Sequence, residues 1–148
     1  MENTMERIET TQEKTDRENR EHCKRIAEEL EAYAEGRVYR CPNCGERLTD
    51  NILFCNCGEQ VDLTEGDWEQ LSVFDFLEDA LDIEYRIGSD GEYRSVKITV
   101  AFGGPNIYID TASRLVTLHW WTDYAEYPIS SDACDQLDEC MAEYWGCR

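Results

Sequence analysis

The sequence predicts an α+β protein built from an N-terminal helix, a short cysteine-rich segment and an antiparallel four-stranded meander packed with two further helices. Three observations predict this class. Residues 1–36 lack proline and are rich in helix-forming residues, four cysteines cluster within residues 37–60, and apolar residues alternate with polar ones along residues 93–102. We therefore divide the chain into a charged helix at 1–36, a cysteine-rich segment at 37–60 and an acidic α+β domain at 61–148.

The first helix should pack only along its second half. Apolar residues are sparse up to residue 21, so this part is interpreted as a solvated helix, a frayed end or a pairing segment. Gly36 is a natural C-terminal stop. The apolar positions of the second half recur at spacings of three and four, as one face of a helix requires: Cys23, Ile26, Leu30 and Tyr33.

The cysteine-rich segment holds two close pairs of thiols. The pairs are Cys41 with Cys44, and Cys55 with Cys57. Pro42 fixes the backbone just after the first thiol, and Gly45 permits the positive φ with which the chain leaves the turn. A two-residue gap lets one turn direct both sulfurs at one ion.

This spacing resembles the zinc ribbon over residues 39–60, although the single residue between Cys55 and Cys57 departs from the usual Cys-x-x-Cys. The alternatives are two disulfides or four free thiols. A cytosolic chain keeps its thiols reduced, so zinc is the favoured interpretation. Four cysteine ligands leave no open position for water, so the predicted zinc is structural.

Two helices are predicted in the acidic domain, one before and one after the strands. Ser72 is a candidate N-cap with Asp75 three residues on, opening a helix through Leu81. Its predicted buried face is Val73, Phe74, Leu77 and Leu81. Ser130 or Ser131 caps the last helix, whose apolar stripe is Cys134, Leu137, Met141, Tyr144 and Trp145.

Four runs between these helices are predicted to be strands joined by short turns, which favours an antiparallel meander. They are residues 83–87, 93–102, 106–110 and 115–121. Val61 to Glu69, before the first of the two helices, is interpreted as a polar link.

The net charge of the chain limits the classes of partner that it can bind. It carries 33 acidic and 14 basic residues, a net charge of −19. A field this negative repels nucleic acid and anionic membranes and attracts basic protein surfaces. The sequence opens without an apolar leader and contains no apolar run long enough to span a bilayer, so a soluble, cytoplasmic protein is expected.

Carboxylates recur at spacings of three and four in both helices of the acidic domain, which aligns them as ladders on one side of each helix. The last helix carries Asp132, Asp135, Glu139 and Glu143, and the short helix carries Asp75, Glu78, Asp79 and Asp82. Such ladders can present a row of negative charges to a basic groove, as the phosphates of DNA do. The alternative is that the acid serves solubility alone.

A cluster of aromatic residues follows the last predicted strand: Trp120, Trp121, Tyr124 and Tyr127. Large aromatics beside a strand end usually fill a core. Half-exposed ones anchor interfaces. With Asp123 and Glu126 between them, these rings are a candidate site for a basic partner.

No arrangement of residues predicts catalysis. His119 alternates with strand neighbours as an ordinary sheet residue does, and no companion nucleophile accompanies the carboxylates. Gly103 and Gly104 feed a strand and lack the lysine of a phosphate loop. Cys134 is predicted to be a core residue, and Cys140 and Cys147 are treated as incidental.

Residues 102–111 and 118–128 resemble segments of small acidic accessory proteins carried by phages and mobile elements. That resemblance implies an inhibitor of host defence nucleases, of the anti-CRISPR or antirestriction type, that occupies a DNA-binding groove. The leading hypothesis is therefore a non-enzymatic DNA mimic. The alternative is an adaptor that docks through the basic residues of the ribbon: Arg37, Arg40 and Arg47.

Overall fold

The computed structural model describes residues 7–64 and 66–147, and in these ranges the chain forms three helices and eight strands. The helices are α1 (Thr11–Ala34), α2 (Val73–Leu77) and α3 (Ser131–Gly146). The strands are β1 (Val38–Arg40), β2 (Arg47–Thr49), β3 (Glu69–Gln70), β4 (Asp82–Ile87), β5 (Tyr93–Ala101), β6 (Asn106–Asp110), β7 (Leu115–Trp120) and β8 (Asp123–Pro128). The predicted α+β class is confirmed.

The main sheet is an antiparallel meander of five strands, in the order β4-β5-β6-β7-β8, and the prediction of four strands is wrong. The strand missed is β8, which pairs with β7 along its whole length, from Trp120 opposite Asp123 to Leu115 opposite Pro128. The two-residue loop between them is Trp121 and Thr122, and Trp121 has a φ of 54°. Glycine, asparagine or aspartate normally supplies a positive φ in such a loop, so the sequence carried no turn signal there.

One face of this sheet forms the core. Its central residues have no solvent exposure: Val96, Ile98, Ile107, Ile109, Val116 and Leu118. α1 contacts β7 and β8, and α3 contacts β5, so the helices pack on this face. The opposite face is open to solvent and is called the outer face below; it carries Glu84 on β4, His119 on β7 and Tyr124 on β8, all exposed.

α1 packs as predicted along its second half. Cys23, Leu30 and Tyr33 are buried and Ile26 is partly buried against the core. The helix begins after the N-cap Thr10, whose hydroxyl accepts a hydrogen bond from the Glu13 amide, and residues 1–6 of the predicted helix lie outside the described range. Its first half lies along β8 through polar contacts: Gln12 donates to Asp123 at 3.0 Å, and Arg20 lies over the Tyr127 ring.

Gly36 ends α1 as predicted. Its φ is 72°, a region that favours glycine. A side chain here would also meet the Gln70 amide nitrogen, which donates to the Gly36 carbonyl at 2.8 Å. This close approach holds β3 beside β1. The predicted polar link therefore ends in a strand, and β2-β1-β3 form a second, three-stranded sheet.

α2 is shorter than predicted. The capping box of Ser72 and Asp75 is present, but the helix ends at Leu77 and not at Leu81. The buried side chains are Val73, Phe76 and Leu77, whereas Phe74 and Leu81 are exposed, which corrects the predicted face. The chain leaves the helix early because the Leu81 amide donates to the Thr99 carbonyl and so begins the pairing of β4 with β5.

α3 begins after the N-cap Ser130, one of the two caps predicted. Cys134, Leu137 and Met141 are buried as expected, while Tyr144 is half exposed and stacks on Phe74 of α2 at 5.9 Å. α2 and α3 therefore pack side by side.

Candidate metal centre and acidic surfaces

The four predicted cysteines meet at one end of the cysteine-rich segment, residues 37–60, which is called the ribbon below. The first turn is closed by the Cys41 amide, which donates to Glu46, and by the Gly45 amide, which donates to Cys41. The second turn repeats this arrangement around Cys55, whose amide donates to Glu59 and whose carbonyl accepts from Gly58. Each turn thus brings its two thiols close to each other.

The sulfur positions fit a tetrahedral ion. All four Sγ atoms lie within 4.8 Å of one another; Cys44 and Cys55 are 3.3 Å apart, and Cys41 and Cys57 are 3.8 Å apart. Four sulfurs each about 2.3 Å from a central Zn²⁺ would be separated by about 3.8 Å. The cluster can therefore hold a metal ion with little rearrangement, and its four thiols would close the coordination shell.

Two neighbouring side chains shift the pKa values of these thiols in opposite directions. The Asn43 amide donates to Cys57 Sγ at 3.4 Å, and this bond is the main reason that the pKa of Cys57 falls to about 6. The Cys57 backbone lowers the pKa of Cys55, but lost hydration and hydrogen bonds to Cys44 and Glu46 outweigh that effect, so its pKa is raised. Cys55 donates to Glu46 Oε2 at 3.2 Å, so this carboxylate favours the protonated thiol.

Sequence reasoning missed Asn43 and Glu46. Both lie in or directly beside the Cys41–Gly45 turn, so their sequence positions place them near the metal. Only the fold shows that each reaches a thiol of the second pair.

The predicted carboxylate ladder of α3 faces solvent. Asp132, Asp135, Glu139 and Glu143 are all exposed. At about 100° per residue they share the side of α3 opposite its buried residues. Asp132 accepts a hydrogen bond from Gln136, and within residues 7–64 and 66–147 no lysine or arginine lies within ion-pair distance of these four carboxylates.

Most carboxylates of α2 and of the turn that follows it have partners within the protein, unlike those of α3. Asp75 is held in the capping box, and Glu78 and Asp79 pair with Arg47 of the ribbon at 3.1 and 3.0 Å. Asp82 lies apart from them, exposed on the outer face at the start of β4. α2 therefore presents no free ladder comparable to that of α3.

The predicted aromatic site is divided between two faces. Tyr124 and Glu126 lie on the outer face, with the Tyr124 hydroxyl donating to Glu126 at 2.8 Å. Asp123 points to the helical side, where it accepts from Gln12. Trp121, at the hairpin tip, is 88% exposed. Because α3 packs on the opposite face, the outer-face pair and the α3 ladder form two separate surfaces.

The basic residues of the ribbon form ion pairs with acidic residues of the protein itself. Arg37 pairs with Glu35 and Asp50, and Arg40 pairs with Glu69. Arg47 additionally donates to the Tyr33 hydroxyl, which is the main reason that its pKa is raised. These arginines fasten the ribbon to its surroundings. The ribbon also exposes three large apolar side chains: Ile52, Leu53 and Phe54.

No protein-family model matches the chain, and neither the curated proteins nor the solved structures gave a match. The resemblance to phage accessory proteins therefore stays a prediction. Among the helices that the structure describes, none has the length and apolar character needed to cross a membrane.

Proposed function

We propose that this protein is a non-enzymatic acidic inhibitor that binds the basic nucleic-acid-binding surface of a host defence protein. The observation that carries the proposal is the exposed ladder of α3, whose carboxylates have no cationic partner in the described chain. Each pair of like charges at these spacings destabilises a helix by a few tenths of a kcal/mol. An external cationic surface would offset that cost.

The spacing of the ladder suits a groove that binds nucleic acid. From Asp132 to Glu143 the helix rises about 16 Å, so a carboxylate recurs about every 5.5 Å. One strand of duplex DNA carries a phosphate about every 3.4 Å along its axis, a repeat of the same order. The net charge of −19 would speed association with a basic channel and make it sensitive to salt.

The proposal includes a structural Zn²⁺ at the four-cysteine centre. Thiolates are soft ligands, and four of them at these separations suit tetrahedral zinc. The ion would fix the two cysteine turns of the ribbon relative to each other. Arg47 of the ribbon pairs with Glu78 and Asp79 in the turn after α2. Metal analysis of the protein purified without added metal should find about one zinc per chain, and Cys44→Ser should lower that content sharply. Iron at the same stoichiometry would refute zinc.

A capture experiment tests the inhibitor function. Tagged protein is incubated with a bacterial lysate at low salt, and bound proteins are challenged with excess duplex DNA. We expect capture of a nucleic-acid-binding protein that DNA displaces. The ladder variant, Asp132→Asn, Asp135→Asn, Glu139→Gln and Glu143→Gln, should capture none of it.

A matched control removes the same number of charges from scattered exposed acids: Glu21→Gln, Glu59→Gln, Asp67→Asn and Glu92→Gln. This control should retain the partner. An equal loss of capture in the two variants would show that general charge, and not the ladder, governs binding, and full capture by both would refute a role for the ladder. A partner that survives the DNA challenge would refute mimicry.

A second candidate function is an adaptor that docks through the ribbon. It is favoured by the exposed apolar side chains Leu53 and Phe54, which are 76% and 61% exposed. In this case the double variant Leu53→Ser and Phe54→Ser would abolish capture, and the ladder variant would not.

A further inference from the structure

The outer face of the sheet carries a groove with apolar walls and an acidic rim. Leu81 and Phe102, which are 61% and 77% exposed, line it together with Tyr108, and its volume is about 520 Å³. Asp82 and Glu84 lie on the same wall, on successive outward positions of β4. An aliphatic stem that ends in a cation matches this combination, since its stem would cover Leu81 and Phe102 while its charge meets the two carboxylates.

An aromatic row continues from the groove across the sheet. The Tyr108 ring lies 5.8 Å from His119, which lies 5.0 Å from Tyr124, and Tyr124 donates to Glu126. Lys97 already lies over the Tyr108 ring, with its Nζ 4.2 Å from the ring centre. This internal contact shows that the row accepts a cation on a ring face.

We infer that the outer face binds a basic segment of a partner protein in extended conformation. One arginine or lysine side chain enters the groove beside Asp82 and Glu84, and a second lies on Tyr124 beside Glu126. Four strand spacings separate β4 from β8, about 19 Å, which an extended chain covers in about six residues. The partner therefore carries two basic residues about six positions apart.

This surface lies on the opposite side of the sheet from the α3 ladder. The inference rests on the proposed function only in sharing a basic partner, and the two can fail separately. Capture of a nucleic-acid-binding protein tests the ladder, and a short peptide tests the outer face.

The probe is a dye-labelled peptide with arginines at its first and seventh positions and a glycine-serine spacer, followed by fluorescence anisotropy. The groove variant Asp82→Asn with Glu84→Gln is compared with Asp67→Asn with Glu59→Gln, which removes the same charge from exposed acids outside both proposed surfaces. We expect binding to weaken at least about fivefold in the first and less than about twofold in the second. A peptide with citrulline in place of both arginines should not bind.

The variant Lys97→Met tests most directly whether the groove binds a positive charge. It vacates the Tyr108 ring and makes the groove more acidic, so a cationic segment should bind more tightly. Weaker binding of the arginine peptide would mean that its cation does not enter this groove and would overturn the inference. Equal losses in the two charge variants, or binding of the citrulline peptide, would also overturn it, as would a dimer in sedimentation velocity that Phe102→Ser abolishes.

Discussion

Arg47 should be the most important charged residue for the stability of the ribbon. Its guanidinium joins three elements: it donates to the Tyr33 hydroxyl of α1 at 3.2 Å, to the Asp75 carbonyl of α2 at 3.0 Å, and to the carboxylates of Asp79 and Glu78. The side chain is 21% exposed, so these bonds are only partly screened by water. Arg47→Ala removes all of them and leaves two acids beside each other.

The size of the effect follows from the environment of each bond. The two carboxylates are themselves 48% and 78% exposed, so each pair contributes about 0.5 kcal/mol. The bonds to Tyr33 and the Asp75 carbonyl contribute about 1 kcal/mol each, although they share one nitrogen with Asp79. We therefore expect Arg47→Ala to lower the free energy of unfolding by about 2–3 kcal/mol, or the melting temperature by about 6–9 °C.

The assay is urea unfolding followed by circular dichroism, with zinc saturating throughout. Arg40→Ala is the control, because Arg40 makes one long ion pair with Glu69, at 3.4 Å, and should cost less than about 1 kcal/mol. If Arg47→Ala costs no more than the control, Arg47 does not fasten the ribbon. An Arg47→Glu variant would destabilise the fold for the same reason, so a loss of partner binding in it would not report on docking through the ribbon.

Three further predictions concern the metal centre, the β7–β8 hairpin and the outer face. Glu46→Gln should raise the affinity for Zn²⁺, measured by competition with a chelator, because the carboxylate 3.2 Å from Cys55 opposes loss of its proton; unchanged affinity would contradict this role. Trp121→Gly should stabilise the protein by about 0.5–1 kcal/mol in thermal unfolding, because it relieves a positive φ; a loss of stability would mean that the ring contact with Trp120 outweighs the strain. The two-bond pair of Arg86 with Asp110 lowers the pKa of Asp110, so it stabilises the fold above the unfolded value near 4 and loses this effect as pH falls through the folded pKa. Asp110→Asn should therefore cost about 1 kcal/mol at pH 7 and much less near pH 2, and an equal cost at both values would refute the linkage.

The local features of this fold could be predicted from sequence because their causes are local. The four-cysteine cluster follows from spacing, the end of α1 from Gly36, and the start of α2 from the capping pair Ser72 and Asp75. Each depends on residues within a few positions of one another.

The features that were missed depend on distant partners. β8 opens after a turn whose positive φ belongs to a tryptophan, and only pairing with β7 reveals the strand. α2 ends early because Leu81 bonds to Thr99 of the sheet. The pairing of Glu78 and Asp79 with Arg47 spans more than thirty residues, so no local pattern could distinguish these acids from the free ladder of α3.

The packing of α1 against β8 and α3 has a consequence for how the chain folds during synthesis. Glu31 accepts from the amide and hydroxyl of Ser130, and Gln136 donates to the Ala34 carbonyl, so the first helix is held by residues that are made about a hundred positions later. The ribbon needs only residues 41–57 to gather its thiols and can close while translation continues. The first helix, in contrast, cannot pack on β7, β8 and α3 until those elements have left the ribosome, so the main core forms only after they have been made.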